Sequence, residues 1–353
     1  MAVTELTRRL VSIPSHEDET DVGDAIEAWL RRETAATVTR DEAGNVFAST
    51  GTGPELALVG HHDVVPPDPS QVADGEYVVE ERDGRLYGRG TADMKGTLAA
   101  MLLAFRDADP AGTLTFASFV GEELGGEGCR AAIDDGFAPD WAVVGEGSTG
   151  YSAEGVTDVA VAHKGRRAHT LTARGRAAHA SEPEAGENAI YRGADAVDAV
   201  RDCEAPETEV LGTRLSGSVV VTEIEGGSAW NVVPEACEIT IDERTVPGER
   251  AAFDLPEGVE HEVGQDLPPM ACADDAFAEA VLGTVRELQG AGEHVAKPHA
   301  TDAGWLAANG TACLVVGAAE PGEAHTADES VSVAVLERCR AVYTALAETW
   351  PTA

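Results

Sequence analysis

With 353 residues, 43% of them hydrophobic, the chain is longer than one hydrophobic core usually organises, and two domains are expected. Asp and Glu number 63 against 25 Lys and Arg, a formal net charge of -38. That balance argues against nucleic acid and anionic membrane surfaces as partners, because both are bound through Lys and Arg.

The acids are spread along the whole chain instead of forming a tail. This suits a surface kept soluble at high ionic strength, where repulsion is screened, and points to a salt-loving source. The six cysteines lie far apart without a C-x-x-C pair, so neither a disulfide framework nor a thiolate zinc site is expected. No basic leader with an apolar run opens the chain, and nowhere do 18 apolar residues run together, so a soluble, cytoplasmic protein is expected.

In chain order, Val3, Leu6, Leu10 and Val11 share a helical face, and Val22, Ala25, Ile26, Trp29 and Leu30 repeat the spacing in a second helix. Short strands follow at 37–40, 45–50 and 55–59, separated by glycine turns. Three prolines (Pro66, Pro67, Pro69) make a loop, and 77–80 with 85–87 flank Asp83-Gly84 as a hairpin. A helix over 95–106, a strand over 113–120, a helix over 128–135 and a strand over 141–144 complete an alternation that predicts an α/β fold, a central sheet flanked by helices.

Near Arg166 the pattern changes to long alternating strands (167–174, 216–224, 237–245) with one helix at 188–201. This predicts a small α+β unit over 166–268, inserted into a discontinuous larger domain of 1–165 and 269–353. A helix over 275–288, a strand over 312–316 and a closing helix over 330–349 return the chain to the first sheet.

The residues able to do chemistry sit where these strands end. Gly60-His61-His62-Asp63 follows the third strand, and residues two apart point to one side, so His61 and Asp63 share a face while His62 points away. A carboxylate beside an imidazole is how metal sites fix the ring tautomer, although a His-x-Asp pair by itself also reads as a surface hydrogen bond. Asp93 stands between Gly88-Arg89-Gly90 and a helix, where it could equally be an N-cap. Glu122 and Glu123 end the strand that includes Phe116 to Val120, and adjacent carboxylates there let one bind metal while the other works on water. Glu146 closes the next strand between two glycines. Ligand sites in open α/β sheets lie at the carboxyl ends of strands, and oxygen-rich ligation with two imidazoles favours Zn, Mn or Co.

Together, Gly60-His61-x-Asp63-x-Val65-Pro66, Gly88-Arg89-Gly90-x-x-Asp93-Met94-Lys95-Gly96 and the Glu122-Glu123 pair resemble the dinuclear-metal aminoacylases and carboxypeptidases. That family includes acetylornithine deacetylase, succinyl-diaminopimelate desuccinylase, aminoacylase and the glutamate carboxypeptidases. With its acidic composition, the chain resembles a haloarchaeal member. The resemblance implies two divalent metal ions, Zn before Co or Mn, one on His61, Asp93 and Glu146 and the other on Asp93, Glu123 and His325. Asp93 would bridge them, Asp63 would orient His61, and Glu122 would be the general base. The inserted unit would be a lid and dimerisation domain, its His179 steadying the oxyanion, Arg244 gripping the substrate carboxylate and Asn231 adding a contact.

Three departures stand out: Gly147 replaces the family's proline after the ligand glutamate, the lid is short after Pro247, and Thr301-Asp302-Ala303 looks more like the deacetylases and carboxypeptidases than like the desuccinylase. The expected function is a metal-dependent amidohydrolase removing an acyl group from an N-acyl amino acid. A metallo-carboxypeptidase or dipeptidase is the alternative within this chemistry. A catalytically silent amino-acid-binding protein is the alternative outside it.

Overall fold

The computed structural model describes residues 1–351. Its centre is a nine-stranded mixed sheet in the order Thr37–Arg40, Val46–Gly51, Thr113–Phe119, Glu55–His61, Trp141–Val144, Ala312–Val315, Val159–His163, Met270–Ala271, with His294–Lys297 also paired to Val159–His163. Glu55–His61 lies between two parallel neighbours, Thr113–Phe119 and Trp141–Val144. All three run the same way, so the carboxyl ends that carry His61, the Glu122-Glu123 pair and Glu146 come out on one edge.

Both faces of this sheet are covered, and strand alternation divides the core. Leu56, Leu58, Leu114, Phe116, Val143 and Leu314 join one cluster with the helices Val3–Val11, Thr20–Glu33, Gly96–Asp107, Asp275–Gln289 and Val333–Thr349. Ala57, Val59, Ala117, Phe119, Ala142, Val144 and Val315 join the other, beneath Glu127–Asp134 and Asp302–Ala308. The cysteines are all free, and five of the six are buried, as small apolar residues are. No helix among the described residues is long and apolar enough to cross a membrane.

Residues 165–267 build a separate four-stranded antiparallel sheet, ordered Ser218–Gly226, Ala236–Thr245, Gly165–Arg174, Val259–Leu267. The helix Ala189–Arg201 packs on it through Ala189, Ala196 and Val200 against Leu171, Ala173, Ile239 and Ile241. Among the described residues this is the unit's only α-helix, which accounts for the short stretch after Pro247.

Two local expectations change. The closing helix begins at Val333, not Ser330, because Ser330–Ser332 pairs antiparallel with Arg85–Tyr87 and buries Val331. The strand Val259–Leu267 was not anticipated. Its sequence lacks apolar alternation because it is an exposed edge strand carrying Glu, His and Asp, residues that discourage further pairing.

Candidate metal centre

The histidine that ends Glu55–His61 is 1% exposed. Its Nδ1 lies 3.2 Å from Asp63 Oδ1, and its Nε2 lies 3.1 Å from Asp93 Oδ1 and 3.2 Å from Glu146 Oε1. Asp63 also accepts the backbone N–H groups of Glu122 at 3.1 Å and Glu123 at 3.0 Å, so one carboxylate orients the ring and anchors the next strand end. His62 points the other way, with Nδ1 2.7 Å from Ser118 Oγ, and burial pushes its pKa down to about 3.

Across the site, His325 Nε2 lies 3.0 Å from Asp93 Oδ2 and 2.9 Å from Glu123 Oε1. The two oxygens of Asp93 therefore face two different histidines. Asp93 is no N-cap: Lys95 holds that position for the helix Gly96–Asp107, and the Asp93 oxygens are turned to the histidines instead.

The donor chemistry calls for cations. With the proton of His61 on Nδ1 toward Asp63, its Nε2 lone pair faces two carboxylate oxygens, an arrangement that repels unless a proton or a metal ion lies between them. Burial alone would lower the His61 pKa, yet Asp63, Asp93 and Glu146 raise it well above its usual value. Hydrogen bonds to Asp93 and Glu123 push His325 up to about 10. Two groups of donor atoms, from His61, Glu122 and Glu146 and from Asp93, Glu123 and His325, each fall within 4.8 Å of one another, compact enough to hold an ion.

Beside them is a cavity of about 370 Å³, bordered by Asp93, Glu122, Glu123, Glu146, Tyr151, Lys297, His299 and His325 among others. Burial, reinforced by Glu146, Asp302 and Glu123 against the opposing His61, raises the Glu122 pKa well above the carboxylate norm. A carboxylate so placed, bordering the cavity, can take up a proton and give it back.

Several residues that matter here escaped the sequence reading. Glu329, fully buried, is ion-paired with Arg89 and accepts the backbone N–H groups of Ala92 at 3.0 Å and Asp93 at 3.2 Å. It ties the loop carrying Asp93 to the segment carrying His325. The only signal was an acid four residues after His325, which an acid-rich chain conceals. Breaking a buried pair leaves an uncompensated charge, so Glu329→Gln is expected to destabilise folding by about 3–5 kcal/mol. Chemical denaturation checks this, and an unchanged midpoint and slope would refute it.

Asp302 is the second such group. Both carboxylate oxygens are buried without a partner among the described residues, and burial lifts its pKa to about 7. In the sequence it stands out only within Thr301-Asp302-Ala303.

Gly147 finds its explanation in packing. A Cβ there would stand 2.6 Å from the Ala319 carbonyl oxygen, so proline and every other residue is too large. The turn is instead held by Lys297 Nζ, which donates to the Gly147 carbonyl at 2.6 Å.

Three residues read as substrate contacts are not brought to the cavity within one chain. His179 is exposed, with Nδ1 2.7 Å from Ser181 Oγ. The backbone carbonyl of Asn231 accepts the Ala180 N–H, and Arg244 is held by Asp242 at 2.7 Å.

Residues 57–349 match the model of Peptidase family M20/M25/M40. The putative succinyl-diaminopimelate desuccinylase DapE of Mycobacterium tuberculosis is 29% identical over 344 residues, 93% of each chain. A probable succinyl-diaminopimelate desuccinylase of Staphylococcus epidermidis is 32% identical over 261 residues, 64% of this chain and 63% of that protein. The acetylornithine deacetylase of Proteus mirabilis is 33% identical over 221 residues, 58% of this chain and 53% of the relative. Among solved structures, the aminopeptidase PepT of Bacillus cereus superposes with a TM-score of 0.80 at 20% identity, covering 98% of this chain and 97% of that one. The YXEP protein of Bacillus subtilis, a dinuclear metal-binding peptidase, superposes at 0.70 with 15% identity and 98% of both chains covered. The chain thus belongs to Peptidase family M20/M25/M40, a metallohydrolase acting on amide or peptide bonds.

Proposed function

We propose that the protein is a two-metal amidohydrolase that removes the acyl group from an N-acyl amino acid. The observation that carries this is Asp93, whose two oxygens face His61 and His325 at 3.1 and 3.0 Å, as a bridging carboxylate would. His61, Asp93 and Glu146 would hold one divalent ion, and Asp93, Glu123 and His325 the other, with Zn favoured over Co or Mn by the mixed imidazole and carboxylate donors. When bound, such ions polarise the scissile carbonyl and acidify water. Glu122 takes the proton of the attacking water and returns it to the leaving amine nitrogen. Asp63 keeps the His61 ring in register.

The lid supplies the remaining roles. Arg244 binds the substrate carboxylate, with Asn231 nearby. His179, exposed in its own chain, steadies the oxyanion from a partner subunit. Homodimerisation through this unit is supported by its exposed apolar side chains, Tyr191, Val220, Ile224 and Trp230, the last 96% exposed. Sedimentation in high salt tests the dimer, and a monomer at all concentrations would remove His179 from the mechanism.

The names of the curated relatives support deacylation, whereas the names of several structural neighbours support peptide cleavage. Release of free amine from N-acetyl, N-succinyl and dipeptide substrates, with Zn, Co or Mn added in high salt, separates the two. Amine from dipeptides alone would favour the peptidase. No release from any of them would favour a silent binding protein.

A further inference from the structure

The cavity has a basic wall that this reading does not use. Lys297 ends the strand His294–Lys297, pinned by its pairing with Val159–His163 and by Lys164 N–H, which donates to its carbonyl at 3.0 Å. Its side chain is 6% exposed, yet it borders the cavity. Among the described residues the ammonium donates one hydrogen bond, to the Gly147 carbonyl, and stands 3.7 Å from Glu146 Oε2, beyond hydrogen-bond reach. That leaves donors to spare. His299, two residues on, borders the same cavity, and neither ring nitrogen bonds a described residue.

These groups are not a by-product of composition. The chain has three lysines and a net charge of -38, yet one lysine is set into the wall of the cavity beside the candidate metal centre. Lys297 and His299 border the same cavity, and burial together with the nearby Lys297 charge lowers the His299 pKa. A neutral imidazole there still donates one N–H, and a lysine ammonium meets an anion as a compact point charge.

We infer that Lys297 and His299 form an anion subsite for a second substrate carboxylate, separate from the one assigned to Arg244, so that preferred substrates are dicarboxylates. This rests on the amidohydrolase reading and specifies its substrate class. The second carboxylate belongs either to the acyl chain, as in an N-succinyl group, or to the amino-acid side chain, as in an N-acylglutamate, and both offer the same chemistry to these donors.

The test uses metal-supplemented enzyme and two matched pairs, N-succinyl against N-succinamoyl amino acid, and N-acetylglutamate against N-acetylglutamine. In one pair the acid is expected to be preferred over its amide by about ten- to a hundredfold in kcat/KM, the worth of one charged hydrogen bond, and that pair identifies the source. The ratio is expected to fall toward one in Lys297→Met and His299→Leu and to survive in Lys297→Arg. Absence of preference in both pairs, or an unchanged ratio in both apolar variants, overturns the subsite. Because Lys297 braces the turn after Glu146, the metal content of Lys297→Met is measured alongside, and His299→Leu decides the matter if metal is lost. No amine from either pair would refute the amidohydrolase reading itself. Glutarate binding by titration calorimetry then decides the subsite: weaker binding in His299→Leu sustains it, and equal binding removes it.

Discussion

Glu122→Gln is expected to lower turnover by about 10²- to 10⁴-fold, the usual worth of a general base, while leaving the fold and the bound metal in place. The argument is positional. Glu122 borders the cavity, its backbone N–H is held by Asp63, and its carboxylate makes no hydrogen bond among the described residues that would occupy it. Glutamine has the same shape but cannot take up a proton, so proton transfer is lost and packing is kept. Steady-state kinetics at saturating substrate, with metal measured on the same sample, checks this. Because Glu122 also lies within 4.8 Å of donor atoms on His61 and Glu146, loss of metal in the variant would recast it as a ligand. Retention of more than about a tenth of wild-type activity would refute the base assignment, since that falls far short of a base's usual contribution.

Asp93→Asn is expected to strip both ions. The wild-type carboxylate presents one oxygen to each histidine, so it is the only side chain shared by the two proposed sites. An amide keeps one oxygen but turns an NH₂ toward the other histidine and removes a negative charge from between two cations. Outer-shell partners of metal ligands already cost about 10- to 100-fold in affinity when changed, so a bridging ligand is expected to cost at least the upper value. Metal content after dialysis against a weak chelator, with circular dichroism to confirm folding, measures it. Two ions per chain in the variant would show that Asp93 does not bridge. One ion would mean that it serves a single site.

Most of the architecture was legible because it depends on local pattern. Hydrophobic runs bounded by glycine placed the strands Glu55–His61, Thr113–Phe119 and Trp141–Val144 to within two residues, and strand alternation placed His61 and His62 on opposite faces. The edge strand Val259–Leu267 was hidden because exposure removes the apolar signal, and Ser330–Ser332 because three residues carry no periodicity.

The sequence by itself determined that acids and a histidine would stand at strand ends, since each hydrophobic run stops where these polar residues begin. It also determined the acidic surface. Only the tertiary structure decided which of these groups meet. His325 comes to Glu123 across 202 residues, from a left-handed backbone conformation (φ 62°) that no local pattern announces. Lys297, His299, Asp302 and Glu329 likewise look like ordinary charged or polar residues in the chain. They become a cavity wall, a buried carboxylate without a partner among the described residues and a brace for Asp93 once parallel pairing has brought the strand ends to one edge. The physical reason is that hydrophobic periodicity is a short-range property of the chain, whereas burial, charge pairing and ligand geometry depend on contacts between residues distant in sequence.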